Sequence, residues 1–340
     1  MKKVRAQDAV GMALCHDVTG IRKDFKGPVF RRGHVIRPED VDTLLDLGKQ
    51  HVFIWEDNAG EIHEEDAALR LSKLATVEQG SFTGPSEGKM VLSAQIPGLF
   101  RVNIPLLERI NSIGDITIAT LPDHYPVEVG AKLASMRIVP LVTQESQIET
   151  AERLCMESET PLLELVPYRP TKVGIIITGS EVYTGRIQDL FQPVIRAKVA
   201  PFGAQVLGCT FCDDDLAMLE GAIAHYLEQG AQLIVMTGGM SVDPDDLTPT
   251  AIRNAGAQVI SHGVPSQPGN MLMVSYLGDT AIVGVPGAAA RLATTTFDVI
   301  LPQLMTGRKL TKADLVRLGD GGFCQSCERC QWPNCTFGRY

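Results

Sequence analysis

"QLIVMTGGMSVDPDD" at residues 232–246 joins an apolar run to two glycines, a serine and three aspartates. Short apolar runs that alternate with helical segments are typical of βα units around a parallel sheet. The pattern recurs at VGIIIT (173–178), AQVLGCT (204–210) and TAIVGVPG (280–287). It therefore predicts that residues 169–308 form a doubly wound α/β domain whose sheet is mostly parallel.

The residues before this domain, 1–168, follow a less regular pattern and predict a mixed α+β region. Helices are expected from Pro38 to Gly48, at 63–75 and at 144–156, and strands near 90–96, 115–120 and 136–143. GSFTGPSEGK (80–89) is rich in Gly, Ser and Pro and predicts a linker or turn. VPYRPTK (166–172) predicts a domain boundary, and residues 309–340 are expected to form a separate C-terminal tail.

Composition and charge argue against several classes of partner. The 340 residues carry a formal net charge of -9, which disfavours nucleic acid or an anionic membrane as the main partner. No apolar run reaches the roughly 18 residues that a membrane span needs, and the N-terminal apolar stretch is too short for a signal peptide, so a cytoplasmic protein is expected. The one basic stretch, residues 21–34, predicts a solvated loop around a Gly-Pro turn or an anion-guiding loop.

Ligands of doubly wound domains bind beyond the carboxyl ends of the parallel strands. Four loops are expected to leave strands at that edge: 178–186, 211–215, 237–246 and 284–290. Three of these loops contain glycines, which allow backbone to approach a ligand closely, and the third loop precedes a helix whose free N–H groups favour anions. A tight turn at Gly238 and Gly239 and a helix cap at Asp245 or Asp246 are the plain structural alternatives.

The acidic part of the 237–246 loop restricts what the edge can bind. A single helix cap explains one aspartate, whereas residues 243–246 contain three. A phosphate about 4 Å from a carboxylate would be repelled by roughly 4 kcal/mol at an effective dielectric of 20, and a helix N-terminus offsets only about 0.3–1 kcal/mol. Either Mg²⁺ bridges the charges, or the aspartates face a neutral, donor-rich part of the ligand while glycine N–H groups bind its phosphate.

These motifs resemble a known domain. TGSEVYTGRIQD (178–189), GGMSVDPDDLT (238–248) and GVPG (284–287) look like the molybdopterin-binding domain shared by molybdopterin molybdenumtransferases, pterin adenylyltransferases and competence-damage-inducible type proteins. DAVGMALCHDVTG (8–20) and the stretch 26–56 are similar to the opening of the molybdenumtransferases. The resemblance implies a homodimer of molybdenum cofactor biosynthesis that binds molybdopterin, often adenylylated, together with Mg²⁺ and acts on molybdate.

The resemblance also implies roles for individual residues. Glu181, Asp189 and Asp246 match acids that position a divalent cation, and they are the candidate catalytic residues. The candidate cofactor-binding residues lie in the loops of the same edge: Thr178, Gly179, Ser180, Thr237, Gly238, Gly239, Ser241, Asp243, Asp245, Pro286 and Gly287.

Three positions depart from the molybdenumtransferase pattern. Phe191 stands where the pattern has Asn, Asn270 replaces the Lys of its Pro-Gly-Lys-Pro loop, and Ala288 replaces the Asn of its Leu-Pro-Gly-Asn-Pro loop. The matched acids favour a metal-inserting transferase, whereas the lost Lys and Asn favour a non-catalytic carrier that delivers the cofactor to a client molybdo- or tungsto-enzyme. A nucleotide-pyrophosphate or nicotinamide-nucleotide hydrolase, suggested by PDDLT (244–248), is a third possibility.

The tail replaces the family's C-terminal β domain with FCQSCERCQWPNCTFG (323–338), a C-x2-C-x2-C-x4-C run. Thiolates three residues apart can converge on one centre, so the run predicts an iron–sulfur cluster or Zn²⁺. The predicted ligands are Cys324, Cys327, Cys330 and Cys335. A redox-labile tail without metal and a docking element for a partner are the alternatives.

Overall fold

The computed structural model describes residues 1–22, 25–56, 58–240 and 246–339, with only the backbone described at 21–22 and 25–26. The chain divides into two compact units. The first comprises Met1–Ile96, Val102–Leu121 and Val129–Leu165, and the second comprises Pro97–Arg101, Pro122–Glu128 and Val166–Tyr340. The second unit therefore includes two short segments from the N-terminal half of the chain.

The N-terminal half of the chain contains short strands and four helices among its described residues. The strands are β1 (Lys2–Arg5), β2 (Val18–Arg22), β3 (Phe25–Phe30), β4 (His51–Ile54), β5 (Glu61–His63), β6 (Gly80–Ser86), β7 (Lys89–Ala94), β8 (Gly98–Val102), β9 (Ile116–Thr120), β10 (Tyr125–Val127), β11 (Lys132–Ile138), β12 (Val142–Gln144) and β13 (Leu163–Pro167). The helices are α1 (Asp40–Asp46), α2 (Glu64–Leu74), α3 (Ile104–Asn111) and α4 (Glu145–Met156). This mixture of small sheets and helices confirms the predicted α+β class.

A four-stranded antiparallel sheet of order β6-β7-β11-β9 is the largest sheet of the first unit. Its strand β7 alternates in the expected way, because Met90, Leu92 and Ala94 are buried while the residues between them are more exposed. Helix α2 packs on this sheet through Ala67, Ala68 and Leu71, all fully buried and spaced three to four residues apart on one helix face.

Two stretches of the N-terminal half that predict a linker, turn or loop are mostly strands. Residues 80–89 form strand β6 and the start of β7, and the chain turns between them at Glu87 (φ 49°) and Gly88 (φ 67°). In the basic stretch, Gly27 and Pro28 lie inside β3, paired with Gly20 and Thr19 of β2, so there is no Gly-Pro turn at that point. Cross-strand pairing overrides the turn tendency of Gly and Pro in both stretches.

The second unit contains a six-stranded sheet of order β15-β14-β16-β19-β18-β17. Its strands are β14 (Lys172–Thr178), β15 (Gln205–Cys212), β16 (Leu233–Thr237), β17 (Gln258–His262), β18 (Met273–Leu277) and β19 (Thr280–Val285). Its helices are α5 (Ser180–Tyr183), α6 (Phe191–Val199), α7 (Leu216–Glu228), α8 (Thr248–Asn254), α9 (Thr296–Met305) and α10 (Lys312–Arg317). Strands β15, β14, β16 and β19 are parallel and β18 and β17 are antiparallel, which confirms the predicted mostly parallel α/β class.

Helices cover both faces of this sheet. Val173, Ile175 and Ile177 of β14 pack on the face that carries α6 and α9, and Ile176 packs on the opposite face with α7. A side chain at Gly174 would place its Cβ 2.4 Å from the ring of Tyr226, so glycine lets this ring of α7 lie against the sheet. Burial on both faces explains why the strands are continuous apolar runs. No helix among the described residues is long and apolar enough to cross a membrane.

Candidate functional site

Four parallel strands of the second unit end side by side. In the register of the sheet, Ile177 of β14 pairs with Thr237 of β16, and Thr237 pairs with Val285 of β19. Thr178 of β14 pairs with Cys212, the last residue of β15. The four predicted loops therefore leave the sheet at one edge, which we call the carboxyl edge.

Hydrogen bonds tie the loop after β14 to the loop after β15. The Thr178 hydroxyl donates to Asp214 Oδ1 at 2.9 Å, and the Ser180 backbone N–H donates to Asp214 Oδ2 at 3.1 Å. The Ser180 hydroxyl donates to Asp213. Two of the predicted cofactor-binding residues are thus brought together, and their partners are two carboxylates.

Asp213 and Asp214 were not among the residues predicted for the site, although their loop was. The available signal was DDD (213–215) directly after a strand end at the carboxyl edge. Hydrogen bonds from the Ser180 hydroxyl and from the Asp214 N–H hold the pKa of Asp213 below its ordinary value. Asp213 therefore stays ionised and adds negative charge to the edge.

Backbone conformation and steric crowding within the chain explain why the 237–246 loop has two glycines. Gly238 adopts φ +87° and Gly239 adopts φ +53°, a region that favours glycine. A Cβ on Gly238 would lie 2.1 Å from the carbonyl oxygen of Thr178. The Gly238 carbonyl in turn accepts a hydrogen bond from the Thr248 hydroxyl at 2.9 Å. The pair lets the loop after β16 cross closely over the end of β14.

Thr237, the last residue of β16, is fully buried. Its hydroxyl oxygen has no hydrogen-bond partner among the described residues. An unsatisfied buried hydroxyl costs free energy, so such a group at the end of a strand is a candidate contact for a ligand or an ordered water.

The three candidate catalytic acids have different surroundings. Glu181 is exposed in α5, where its carboxylate lies beside Gly179. Asp189 uses both carboxylate oxygens to cap α6, since it accepts from the N–H groups of Phe191 at 2.8 Å and Gln192 at 2.9 Å. Asp246 is half-buried just before α8.

The remaining predicted cofactor-binding residues fall into two groups. Pro286 is buried and Gly287 exposed where the chain leaves β19 at the carboxyl edge. Ser241, Asp243 and Asp245 lie outside the described residues, as does Lys23 of the basic stretch.

The three positions that depart from the molybdenumtransferase pattern lie in or next to packed parts of the second unit. Phe191 packs against the apolar core of the second unit, and Ala289, next to Ala288, is buried in it. In the other loop the Pro268 carbonyl accepts from the Thr296 N–H at 2.9 Å, and a Cβ on Gly269 would lie 3.2 Å from the same nitrogen.

Arg32, in the basic stretch, is engaged within the first unit. Its guanidinium donates to Glu65 and to Asp66, each at 3.0 Å, and lies over the ring of Trp55 at 5.2 Å. These contacts favour a structural role for Arg32 over anion guiding.

Cys209 and Cys212 lie outside the tail and form a separate C-x2-C pair. Burial raises the pKa of each of these two thiols to about 11. Such thiols stay protonated near neutral pH, which suits a structural role rather than nucleophilic or metal chemistry.

The fold and the carboxyl edge define a doubly wound α/β domain whose parallel strands end side by side. Residues 174–306 match the family model described as "Probable molybdopterin binding domain", and residues 3–56 match the model "Domain of unknown function (DUF8806)". Residues 174–306 therefore match the molybdopterin-binding domain family that is related to molybdenum cofactor biosynthesis, as the sequence motifs predicted.

Curated relatives resemble only part of the chain. A CinA-like protein of Mycobacterium tuberculosis H37Ra is 37% identical over 90 residues, which are 26% of this chain and 21% of that protein. A CinA-like protein of Mycolicibacterium gilvum is 36% identical over 77 residues, 23% of this chain and 18% of that protein. The chain thus spans about a fifth of the length of these relatives.

Two solved structures resemble part of the chain at low sequence identity. The molybdopterin biosynthesis enzyme MoaB of Thermus thermophilus is 21% identical and covers 41% of this chain and 98% of its own, with a TM-score of 0.33. The molybdopterin biosynthesis MoeA protein of Pyrococcus horikoshii is 16% identical and covers 73% of this chain and 74% of its own, with a TM-score of 0.35.

Proposed function

We propose that residues 174–306 bind molybdopterin or its adenylylated form at the carboxyl edge, and that the protein takes part in inserting metal into this cofactor. The observation that supports this most is the convergence of four loops at one edge of a domain that matches the molybdopterin-binding family. In this proposal the N–H groups around Gly238 and Gly239 bind phosphate, and the buried Thr237 hydroxyl donates to the ligand.

The charge of the carboxyl edge supports a divalent cation as part of the ligand. Asp213 and Asp214 add two carboxylates to an edge that already holds Glu181 and Asp246. An anionic cofactor would be repelled there unless a cation offsets the charge.

Oxygen donors of this kind suit Mg²⁺, which commonly uses one or two carboxylates together with substrate phosphates. In this proposal the ligand's own phosphate completes the coordination of the ion. We propose Glu181 and Asp246 as the carboxylates that face the Mg²⁺, whose charge would polarise the bound oxyanion. Asp189 has a weaker claim, because both of its oxygens cap α6.

A carrier function is the second candidate. Phe191 and Ala288 offer apolar groups where the molybdenumtransferase pattern has Asn, and Asn270 offers no cation where the pattern has Lys. Each loss removes a group that would hold phosphate or molybdate, while the fold of the edge is retained. A protein with these changes would bind the cofactor and hand it to a client molybdo- or tungsto-enzyme.

The assembly and the tail enter the proposal as well. We propose that the protein acts as a homodimer, and that the four cysteines of the tail bind a metal centre, iron–sulfur or zinc, beside which a client enzyme docks. The spacing of the four cysteines supports the metal centre.

Binding of molybdopterin to the full-length protein tests the site. We expect the double variant Ser241→Ala, Asp246→Ala to bind at least about tenfold more weakly than the wild type, a loss of about 1.4 kcal/mol. The double variant Ser86→Ala, Asp320→Ala, with both changes on exposed residues outside the four loops of the carboxyl edge, is the matched control. Equal affinity of the first variant and the wild type would refute the assignment of this edge.

Molybdate-dependent formation of the finished cofactor separates the two candidates. A transferase converts bound molybdopterin with molybdate and Mg²⁺ over many turnovers. A carrier binds molybdopterin tightly, yields no product under the same conditions and still activates an apo-molybdoenzyme when loaded with finished cofactor.

A further inference from the structure

All four cysteines of the tail line one cavity of about 400 Å³ in the second unit. Among the described residues that line it, none has a charged side chain. Its opposite wall includes Pro268, Leu292 and Thr294. Cysteines that are 11 residues apart in the sequence, from Cys324 to Cys335, thus share one uncharged space.

The segment that carries these cysteines is held at both ends. Before it, the Gln267 N–H donates to the Gly322 carbonyl at 2.7 Å and the Cys324 N–H donates to the Gln267 carbonyl at 2.9 Å. After it, Phe337 is 2% exposed in the core of the second unit. The Gly338 N–H then donates to the Gly321 carbonyl at 2.9 Å, which closes the segment into a loop. The thiols are therefore presented by an anchored loop rather than by a free tail.

The arrangement of the thiols distinguishes a single ion from a cluster. Zinc binds thiolates at about 2.3 Å, so the four sulfurs of a zinc site must surround one point. The four tail cysteines line a space of about 400 Å³, which is larger than one zinc ion needs. A cubane cluster has an iron at each of four corners, so its four thiolates surround a space instead of one point.

Two of the sulfurs already have donors suited to thiolates. The Ser326 N–H donates to Cys324 Sγ at 3.4 Å, and the Thr294 hydroxyl lies 3.1 Å from Cys330 Sγ. Hydrogen bonds to ligating sulfurs stabilise their negative charge and tune a cluster's reduction potential.

From this geometry we propose that the tail binds a [4Fe–4S] cluster through Cys324, Cys327, Cys330 and Cys335. The proposal rests on the metal-binding role already proposed for the tail and names the kind of centre. Each thiol loses one proton as its sulfur binds iron, and the irons and sulfides come from equal numbers of ferrous and ferric ions with sulfide, or from a preformed cluster. The cluster would lie against Leu292–Thr294, the segment that follows the loop leaving β19 at the carboxyl edge.

Anaerobic purification of the full-length protein tests this proposal, followed by reconstitution with ferrous and ferric ions and sulfide. We expect about four iron and four sulfide per chain and the spectrum of a [4Fe–4S] cluster. In Cys327→Ser and Cys330→Ser we expect a loss of more than half of the iron. Both of these cysteines are exposed, so the variants are expected to fold. Cys155→Ser, which changes a cysteine of the first unit, is the matched control and is expected to keep its iron.

Other outcomes would overturn the cluster. One zinc per chain that is lost in the tail variants would show a zinc site, and a folded protein with neither metal after reconstitution would show that the tail binds none. Molybdopterin binding, measured on the same preparations, separates the two proposals. Binding of the pterin without iron would support the proposed site at the carboxyl edge and refute the cluster. Binding of iron without the pterin would support the cluster and refute the proposed site.

Discussion

Asp213 and Asp214 show how single residues organise the carboxyl edge. Between them they accept from the hydroxyls of Thr178 and Ser180 and from the Ser180 N–H. Hydrogen bonds to ionised acceptors are stronger than neutral ones, so the contact between the Ser180 hydroxyl and Asp213 is strongest while Asp213 is charged. The geometry of the edge is therefore coupled to pH.

Ser180→Ala is expected to reveal this coupling. The hydroxyl holds the pKa of Asp213 below its unfolded value, so its contribution to stability is complete above the ordinary aspartate pKa of about 4. That contribution is lost as the pH falls through the lowered folded pKa. In urea unfolding we therefore expect the wild type to exceed Ser180→Ala at neutral pH and the two to converge in acid.

Thr184→Ala is the control for this effect. The Thr184 hydroxyl donates to the Ser180 carbonyl, which does not titrate. Its loss should lower the free energy of unfolding by the same amount at every pH. A difference between wild type and Ser180→Ala that does not change with pH would contradict the role of Asp213.

Gly238→Ala tests the close crossing of two strand ends. The φ of +87° costs an alanine about 1–3 kcal/mol, and the contact with the Thr178 carbonyl adds an overpacking cost of about 1–3 kcal/mol. Gly230→Ala is the matched control, because Gly230 has φ +75° and nothing within 4 Å of its Cβ position. We expect the first variant to be less stable than the second in urea unfolding, and equal stabilities would refute the steric cause.

At the level of elements, the second unit was more predictable than the first. The predicted alternation of strands and helices in residues 169–308 appears in helices such as Leu216–Glu228 and Thr248–Asn254, because buried βα units leave a strong pattern of apolar runs and caps. In the stretches 80–89 and 21–34, composition predicted loops where partner strands impose hairpins. Register and pairing depend on distant residues, so a local pattern cannot supply them.

The same limit applies to the candidate site. Thr178 and Ser180 were predicted as single residues of one loop, and the structure joins them to Asp213 and Asp214 of another. Which carboxylates face these hydroxyls depends on the strand order β15-β14-β16, and the sequence predicted the class of the sheet but not this order. Asp189 illustrates the reverse case, since its match to a family acid does not reveal that it caps α6.

Phe337→Ala tests the anchoring of the tail as an element. Its side chain is 2% exposed in the core of the second unit, and loss of a buried Phe costs about 3–5 kcal/mol. Phe323→Ala, at the other end of the same segment and 68% exposed, should cost less than about 0.5 kcal/mol. The fluorescence of Trp332 in a Trp55→Phe background reports on the second unit alone, because the chain has two tryptophans.

The far-UV signal and limited proteolysis distinguish local opening of the tail from unfolding of the second unit. If Phe337→Ala unfolds the whole unit, the midpoint of the Trp332 transition falls together with that of the far-UV signal. If the tail opens by itself, limited proteolysis cuts within residues 323–337 while the far-UV transition is unchanged. Equal protection of the wild type and Phe337→Ala would contradict the anchor.

Across the whole molecule, the second unit is assembled from distant parts of the sequence. Tyr125, from the short segment Pro122–Glu128, donates its hydroxyl to Asn334, and the Arg339 guanidinium lies 4.1 Å from the centre of its ring. A cation over an aromatic face contributes about 0.5–2 kcal/mol, depending on how far it is desolvated. The packing of the tail therefore depends on residues that lie about two hundred positions earlier.

A double-mutant cycle with Tyr125→Leu and Arg339→Gln measures this long-range link. Because each single variant removes the same contact, we expect a coupling free energy of about 0.5–2 kcal/mol in urea unfolding. Tyr125→Leu with Arg317→Gln, an exposed cation of α10, is the control cycle and should be additive within about 0.5 kcal/mol. Additivity in both cycles would show that the ring and the guanidinium do not stabilise one another.

The crowding of Gly238 against the Thr178 carbonyl has a consequence for how such domains are recognised. Any related protein that retains this close crossing of backbones must retain the glycine, whether or not it binds a pterin. A motif search built on the Gly-Gly signature will thus retrieve proteins that have lost ligand binding along with proteins that retain it. The polar residues near the crossing are under no such steric constraint, so differences at these positions are better indicators of a change of function.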